Sequence, residues 1–333
     1  MKVLVTGGTG FVGSALVRHL LDAQYEVKML VRTRRNDPLF DNQNIEIVEG
    51  ALSSLEDIRT AMSGCDVVFH VAADYIFYPF WEKEARDLYE TNVQGTVNML
   101  NVALENKAER FVLTSTIATI GKEPDGKPSN EDTAFDLKHA GHYGRSKYLA
   151  EQEVFKFCRK GLQAVILNPA LVIGEGDYKP TPTGDIICKF LNRSYPGYFK
   201  TTWALVDVND VARMHIAALT RGRIGERYIL CDNRHYTMKE IFAILEEVSG
   251  VKAPKIRFPY PLLDAFVHAE EFLSIQVLKK KPLMPTEGIK YCKNSVIFDN
   301  SKAVRELGYT ATPVKETLRR AVSWYRTHGY IKA

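Results

Sequence analysis

Several things are scarce in this 333-residue chain, and each scarcity closes a class of function. Cysteine is limited to Cys65, Cys158, Cys188, Cys231 and Cys292, scattered and with no C-x-x-C pair. That pattern argues against a disulfide framework and a zinc site, and it fits a reducing cytoplasm. No His/Cys/Asp cluster has metal-ligand spacing, so no metal is expected. Long apolar runs are missing, so no segment reads as a membrane span. The chain enters an apolar run at Val3, which leaves no room for a signal peptide. Charge of one sign is lacking too. Lys and Arg number 44 against 40 Asp and Glu, a net charge of +4, too small to imply nucleic acid. The run Lys279-Lys280-Lys281 reads as a solvated loop, with a phosphate or membrane contact as the lesser alternative. There is no short-period repeat and no low-complexity tract.

What remains is an ordinary globular composition, 45% hydrophobic and 25% charged. Apolar runs at 3–5, 27–31, 45–48, 67–71, 111–115 and 164–167 read as buried strands. They alternate with helical patterns near 11–22, 55–62, 84–106 and 143–160. This alternation predicts an α/β fold with a doubly wound parallel sheet. After Asn168 the pattern changes, and 174–205 is rich in Pro, Gly, Thr and aromatics. A strand-to-helix step returns at 205–212, and 227–230 reads as a further strand. Helices are expected at 238–249, 300–307 and 313–328, with an aromatic and leucine-rich stretch around 258–278. The expected organisation is a cofactor domain over 1–173, rejoined by 205–232, and a smaller lid from 174–204 and 233–333.

Residues 6–13 read Thr-Gly-Gly-Thr-Gly-Phe-Val-Gly, directly after the first apolar run. Gly7, Gly10 and Gly13 permit a sharp turn, close approach of a pyrophosphate to backbone N–H groups, and tight helix–strand packing. With Thr9, Phe11 and Val12 they form the fingerprint of a Rossmann dinucleotide site inside a βαβ unit of about thirty residues.

Further on, Tyr143 and Lys147 stand at i and i+4 on one face of a predicted helix. A phenol has a pKa of about 10, and a nearby ammonium lowers it toward neutrality. Thr114, Ser115 and Thr116 end a predicted strand at the edge where ligands bind. Ala72 and Ala73 end another strand with small side chains, as a cofactor lying over the sheet requires.

With these motifs the chain resembles the extended short-chain dehydrogenase/reductase family nearly end to end. Thr6–Gly13, Ala72-Ala73, Thr91-Asn92-Val93 with Gly95-Thr96, Thr114-Ser115-Thr116, Tyr143 and Lys147, Asn168-Pro169, and Val206–Asp210 occur in the family's order. Within it the chain is most similar to dihydroflavonol 4-reductases and cinnamoyl-CoA reductases, and to bacterial proteins called hopanoid-associated sugar epimerases. The resemblance implies that Tyr143 is the general acid/base, that Lys147 lowers its pKa and holds a ribose, and that Thr116 binds the reacting oxygen. Asn92 falls where the family has a structural or proton-relay Asn. The backbone from Pro169 to Val172 would meet the nicotinamide carboxamide. Where the family has Gly-Asp-Leu, this chain has Gly50-Ala51-Leu52, so Leu52 keeps a packing role and a polar adenine partner is lost. A homodimer through the helices near 84–106 and 143–160 is implied in the same way.

Cofactor choice is read at the end of the second strand. Arg32 stands there, with Arg34 and Arg35 close by and no acid before Asp37. A guanidinium pairs with a 2′-phosphate, so NADP is expected over NAD. The expected reaction is reduction of a carbonyl on a hydrophobic or aromatic small molecule. Tyr75, Thr116, His142 and Lys179 are the candidate substrate contacts, within an aromatic lid of Tyr75, Phe77, Tyr78, Phe80, Trp81, Tyr195, Tyr198, Phe199 and Trp203. The alternatives are a nucleotide-sugar epimerase using bound NAD, with Lys179 and Arg193 for the diphosphate, and a non-catalytic NADP-binding sensor. A sugar 4,6-dehydratase is disfavoured. Its Asp-Glu pair after the catalytic Thr is replaced here by Ile117-Ala118.

Overall fold

The structure is a computed structural model that describes residues 1–34, 42, 44–76, 78–282, 285–293 and 295–331. Arg35, Asp37 and Phe77 lie outside the described residues. The first half runs β1 (Lys2–Thr6), α1 (Phe11–Asp22), β2 (Glu26–Val31), β3 (Ile45–Glu49), α2 (Leu55–Met62) and β4 (Val67–His70). It continues through α3 (Glu82–Tyr89), α4 (Gly95–Glu105), β5 (Arg110–Thr114), α5 (His142–Arg159) and β6 (Ala164–Pro169). Then come β7 (Leu171–Ile173), α6 (Pro182–Leu191), β8 (Thr202–Trp203), β9 (Leu205–Asp207), α7 (Val208–Thr220) and β10 (Arg227–Leu230). The chain ends with β11 (Tyr236–Thr237), α8 (Met238–Ser249), α9 (Tyr260–Phe272), α10 (Thr286–Lys293), α11 (Ser301–Leu307) and α12 (Val314–Thr327).

Seven strands form one sheet in the order β10-β6-β5-β4-β1-β2-β3, with every pairing parallel. The reason lies in the strand sequences. Val3, Leu4, Val5, Val68, Phe69, Phe111 and Val112 are fully buried, so consecutive residues need cover on both faces of the sheet. One face is covered by α1, α7 and α11, the other by α2, α4 and α5. The winding reverses between β1 and β4. That switch opens a crevice at the carboxyl edge of the strands, where a doubly wound sheet binds its ligand.

A third core gathers Ile187 and Phe190 of α6, Trp203, Phe242 and Leu245 of α8, and Leu318 and Tyr325 of α12. α8 starts with a capping box in which Thr237 and Glu240 bond reciprocally. One segment departs from the expected grouping. Residues 300–309 were expected in the lid, but Ala303, Leu307 and Tyr309 pack into the core of the sheet. Asn300 Nδ2 donates to the carbonyl of Cys231 at 2.6 Å, which fastens α11 to the end of β10.

The single helix expected at 84–106 is interrupted. Between α3 and α4, Glu90–Gln94 form one π turn, and such a wide turn swings a side chain inward. The residue it turns in is the buried Asn92.

Candidate active site

The glycine turn is built from clashes that side chains would make. Gly7 has φ +71°, and a Cβ there would lie 2.6 Å from the amide nitrogen of Ala72. A Cβ on Gly13 would lie 2.0 Å from the Gly7 carbonyl oxygen. Gly10 donates its N–H to that same oxygen at 2.9 Å and stands at the start of α1 without any side-chain cap. The first N–H groups of α1 are therefore free of local side chains, as an anion site requires.

Tyr143 enters α5 one residue after its start and is buried. Burial pushes its phenol well above the ordinary tyrosine value, and a hydrogen bond with the Thr116 side chain opposes that rise only in part. The Tyr75 ring meets it edge-on at 4.7 Å. Lys147, one turn on, is 2% exposed, and its Nζ donates to the Thr114 carbonyl at 2.7 Å. Burial pushes the ammonium down to about 8, against the opposing carboxylate of Glu151. In this arrangement the Lys147 ammonium is turned to the Thr114 carbonyl rather than to the Tyr143 phenol.

Thr116 begins a short 3₁₀ turn, Ile117–Thr119, and its Oγ1 accepts from the Ala118 N–H at 3.2 Å. What fixes this turn is Glu151, a fully buried residue of α5 outside the expected site residues. Its Oε1 accepts from Ser115 Oγ at 2.5 Å and Asn168 Nδ2 at 2.7 Å, and lies 2.8 Å from Thr119 Oγ1. Asn168 Nδ2 is also 3.1 Å from the Thr116 carbonyl oxygen. Arg227 Nη1 neutralises the carboxylate at 3.2 Å. The signal was present: Glu151 is four residues past Lys147, on the same helix face. Ser115, beside Thr116, spends its hydroxyl on Glu151.

Asn92 is a clamp outside the cavity wall. Its Oδ1 accepts from Asp74 N at 2.8 Å, and its Nδ2 donates to the Asp74 carbonyl and to Ser146 Oγ, each at 3.0 Å.

These elements surround a cavity of about 560 Å³ at the carboxyl edge of the sheet, within the range of small-molecule sites. Gly7, Thr9, Gly10, Phe11, Val12 and Gly13 line one wall, with Arg32 beyond the end of β2 and Leu52 beyond the end of β3. Ala72, Ala73, Thr114, Thr116, Tyr143, Lys147, Pro169 and Val172 line the rest, together with Tyr75. Two expected substrate residues are not among them. Lys179 is exposed, and His142 is exposed at the start of α5 with its ring 5.9 Å from Tyr89. Of the lid aromatics, Tyr195, Tyr198, Phe199 and Trp203 pack within the third core and do not line the cavity. An apolar side chain satisfies either role, and here the small core needed them. Tyr291 of α10 and Thr181–Thr183 complete the wall, brought there by the fold without any local motif. Beside Ala51, Asp57 Oδ2 accepts from the Ala51 N–H at 2.9 Å and fixes the turn without lining the cavity.

Among the described residues no group of His, Cys, Asp and Glu could hold a metal, no helix is long and apolar enough to cross a membrane, and the five cysteines are free.

The model of the NAD dependent epimerase/dehydratase family matches residues 3–231. A Synechocystis sp. protein carrying the provisional name dihydroflavonol 4-reductase is 41% identical over 333 residues, 98% of this chain and 95% of that one. Cinnamoyl-CoA reductase 1 of Arabidopsis thaliana is 31% identical over 254 residues, 70% of this chain and 71% of its own. The crystal structure of gox2253 is similar at TM-score 0.86 and 35% identity, over 99% of both chains. UDP-glucuronic acid 4-epimerase from Bacillus cereus, solved with UDP-glucuronic acid and NAD, matches at TM-score 0.78 over 98% of this chain and 100% of its own; at 21% identity the likeness is one of fold.

Proposed function

The chain belongs to the NAD dependent epimerase/dehydratase family of extended short-chain dehydrogenases/reductases, and from that premise we propose that it is an NADP-dependent reductase of a carbonyl on a small hydrophobic or aromatic molecule. The coarser statement needs no proposal: it is an enzyme of the nicotinamide-dependent reductase and epimerase type.

The residues present suit a dinucleotide. Side chains at Gly7 and Gly13 would collide with backbone, and the uncapped start of α1 faces the cavity. Bound there, the nicotinamide would supply the hydride. Arg32 would hold the 2′-phosphate, Leu52 would pack on the adenine, and the backbone from Pro169 to Val172 would meet the carboxamide. Lys147 would turn from the Thr114 carbonyl to the ribose hydroxyls. Tyr143 holds a proton at Oη and would give it to the substrate oxygen, while Thr116 Oγ1 donates a hydrogen bond to that oxygen. The lid, on this reading, is the third core with α9 and α10, and the protein is a homodimer through α3–α4 and α5.

One observation carries the choice of reductase. Arg32 and Lys147 are the only cations lining the cavity among the described residues, and both are committed to the cofactor. Arg193 and Lys179, the candidates for a sugar diphosphate, are exposed and outside the wall. The substrate end is left to Tyr75, Tyr143, Tyr291, Leu171 and Thr181–Thr183, which suits an uncharged, flat molecule. The test is what the purified protein releases on denaturation and which nucleotide it takes up. No stoichiometric NAD(H), with NADPH bound far more tightly than NADH, is expected. Stoichiometric NAD(H) would overturn the reading in favour of an epimerase.

A further inference from the structure

Helix α9 and the π turn after it, Leu273–Val277, present an apolar outer face. Leu262, Phe266, Phe272, Leu273, Val277 and Leu278 each leave between 51% and 63% of their surface exposed. Ala265 and Ala269 share this outer face, where His268 and Gln276 are the only polar side chains. The acids lie on the protein side and are taken. Asp264 pairs with Lys293, Glu270 accepts from Ser274 Oγ at 2.6 Å, and Glu271 accepts from Thr286 N at 2.8 Å. A soluble helix normally turns its apolar stripe inward and its charges out. Here α9 buries Val267 and packs Tyr260 and Leu263 on the third core, yet its outer face is apolar as well, over about five turns.

The exposed charges that flank this face along the chain are basic, and one of them, Lys281, is bonded to Glu84 at 2.6 Å. Lys252, Lys255 and Arg257 are exposed before α9 begins, and Lys279, Lys280 and Lys281 are exposed after it ends. Trp81, half exposed, lies under Lys281 at 5.3 Å. Aromatic and aliphatic side chains between basic ends make up the pattern of a helix lying in a membrane surface.

We propose that α9 is a docking helix that seats the protein on an anionic lipid bilayer without spanning it. Its apolar face would enter the headgroup–acyl boundary, and its basic ends would meet lipid phosphates. A second copy of the chain is the poorer occupant. A two-fold contact would set basic ends against basic ends in either orientation, with no exposed acid on the face to answer them. The placement also serves the site. α9 packs on α10, whose Tyr291 lines the cavity, so a substrate dissolved in the bilayer has a short path. That advantage rests on the proposed hydrophobic substrate; the docking does not.

The experiment is co-sedimentation of the full chain with vesicles of phosphatidylcholine and phosphatidylglycerol in equal parts, and with phosphatidylcholine alone. The wild type is expected to sediment with the mixed vesicles, to prefer them over neutral ones, and to be released by salt. Phe266→Ser with Leu273→Ser is expected to abolish binding. Each of Lys279→Gln and Lys280→Gln is expected to weaken it roughly fivefold. NADPH affinity and thermal midpoint should be unchanged in all of them, which separates failed docking from failed folding and from failure of the proposed chemistry. A wild type that stays in solution, or variants that sediment like it, would overturn the proposal. So would a wild-type dimer that the Phe266→Ser, Leu273→Ser variant converts to monomer with no vesicle binding by either.

Discussion

At the β5–β6 end of the cavity, the Thr116 carbonyl is held by Asn168, which Glu151 anchors in turn, and Lys147 is tied to the Thr114 carbonyl; Glu151, Asn168 and Lys147 are buried. At the β2–β3 end, Arg32 stands exposed on a strand terminus, beside the small residues Gly50, Ala51 and Ser53. The first end is over-determined by hydrogen bonds in a dry interior, where each is costly to lose. The second is set by one side chain with little holding it. The chemistry is thus built into the frame of the fold, while selectivity for the cofactor is a local matter that one substitution can change.

The largest effect that would sharpen this contrast is on turnover. Tyr143→Phe removes the proton donor and should lower kcat by roughly 100- to 10,000-fold, with NADPH affinity nearly unchanged by titration calorimetry. Near-normal turnover would remove Tyr143 from its role. Next is the frame itself. Glu151→Leu leaves Arg227 without its buried partner and should cost about 3–5 kcal/mol of stability, read from denaturant unfolding. A loss within that of ordinary surface variants would show that the network is dispensable. At the other end, Arg32→Asp should weaken NADPH binding roughly 10- to 100-fold, the worth of a charge-assisted contact, and leave NADH binding little changed. Equal loss for both nucleotides would break the contrast.

The smallest effect concerns pH. His70 sits between Thr6 Oγ1 at 2.8 Å and Thr96 Oγ1 at 3.1 Å, and burial pushes its pKa down to about 3. His215, bonded to Thr114 Oγ1 at 2.6 Å, is likewise pushed down to about 4. The unfolded chain binds these protons near pH 6.5, whereas the folded chain excludes them. Stability is therefore full above that value and is lost as pH falls toward 4. His215→Gln should flatten this slope in urea unfolding series at neutral and mildly acidic pH. An unchanged slope would show that the buried end does not carry it.

How much of this was legible in the sequence follows from what kind of fact each residue expresses. The glycine turn could be read because steric need leaves only glycine at such positions. Tyr143 and Lys147 could be read because helical spacing puts them on one face. The sheet could be read because parallel strands are apolar on both sides. The position of Tyr291 could not, since its segment reaches the cavity through tertiary packing far along the chain. Nor could the fate of Tyr195, Tyr198, Phe199 and Trp203, because an aromatic ring is equally suited to a core and a pocket. The burial that raises the Tyr143 phenol could not be read either, because desolvation depends on tertiary packing. The π turn at Glu90–Gln94 has no composition of its own.

The central claim, hydride delivery from NADPH to a substrate carbonyl with Tyr143 as acid, is tested most directly with NADPH deuterated at C4 of the nicotinamide. Wild-type protein is given a panel of hydrophobic and aromatic ketones and aldehydes, and the alcohols are read by mass spectrometry. The account predicts one deuterium at the carbinol carbon of at least one product, and none formed by Tyr143→Phe. Full occupancy by tightly bound NAD, with a sugar nucleotide epimerised and no deuterium taken from the added NADPH, would contradict it.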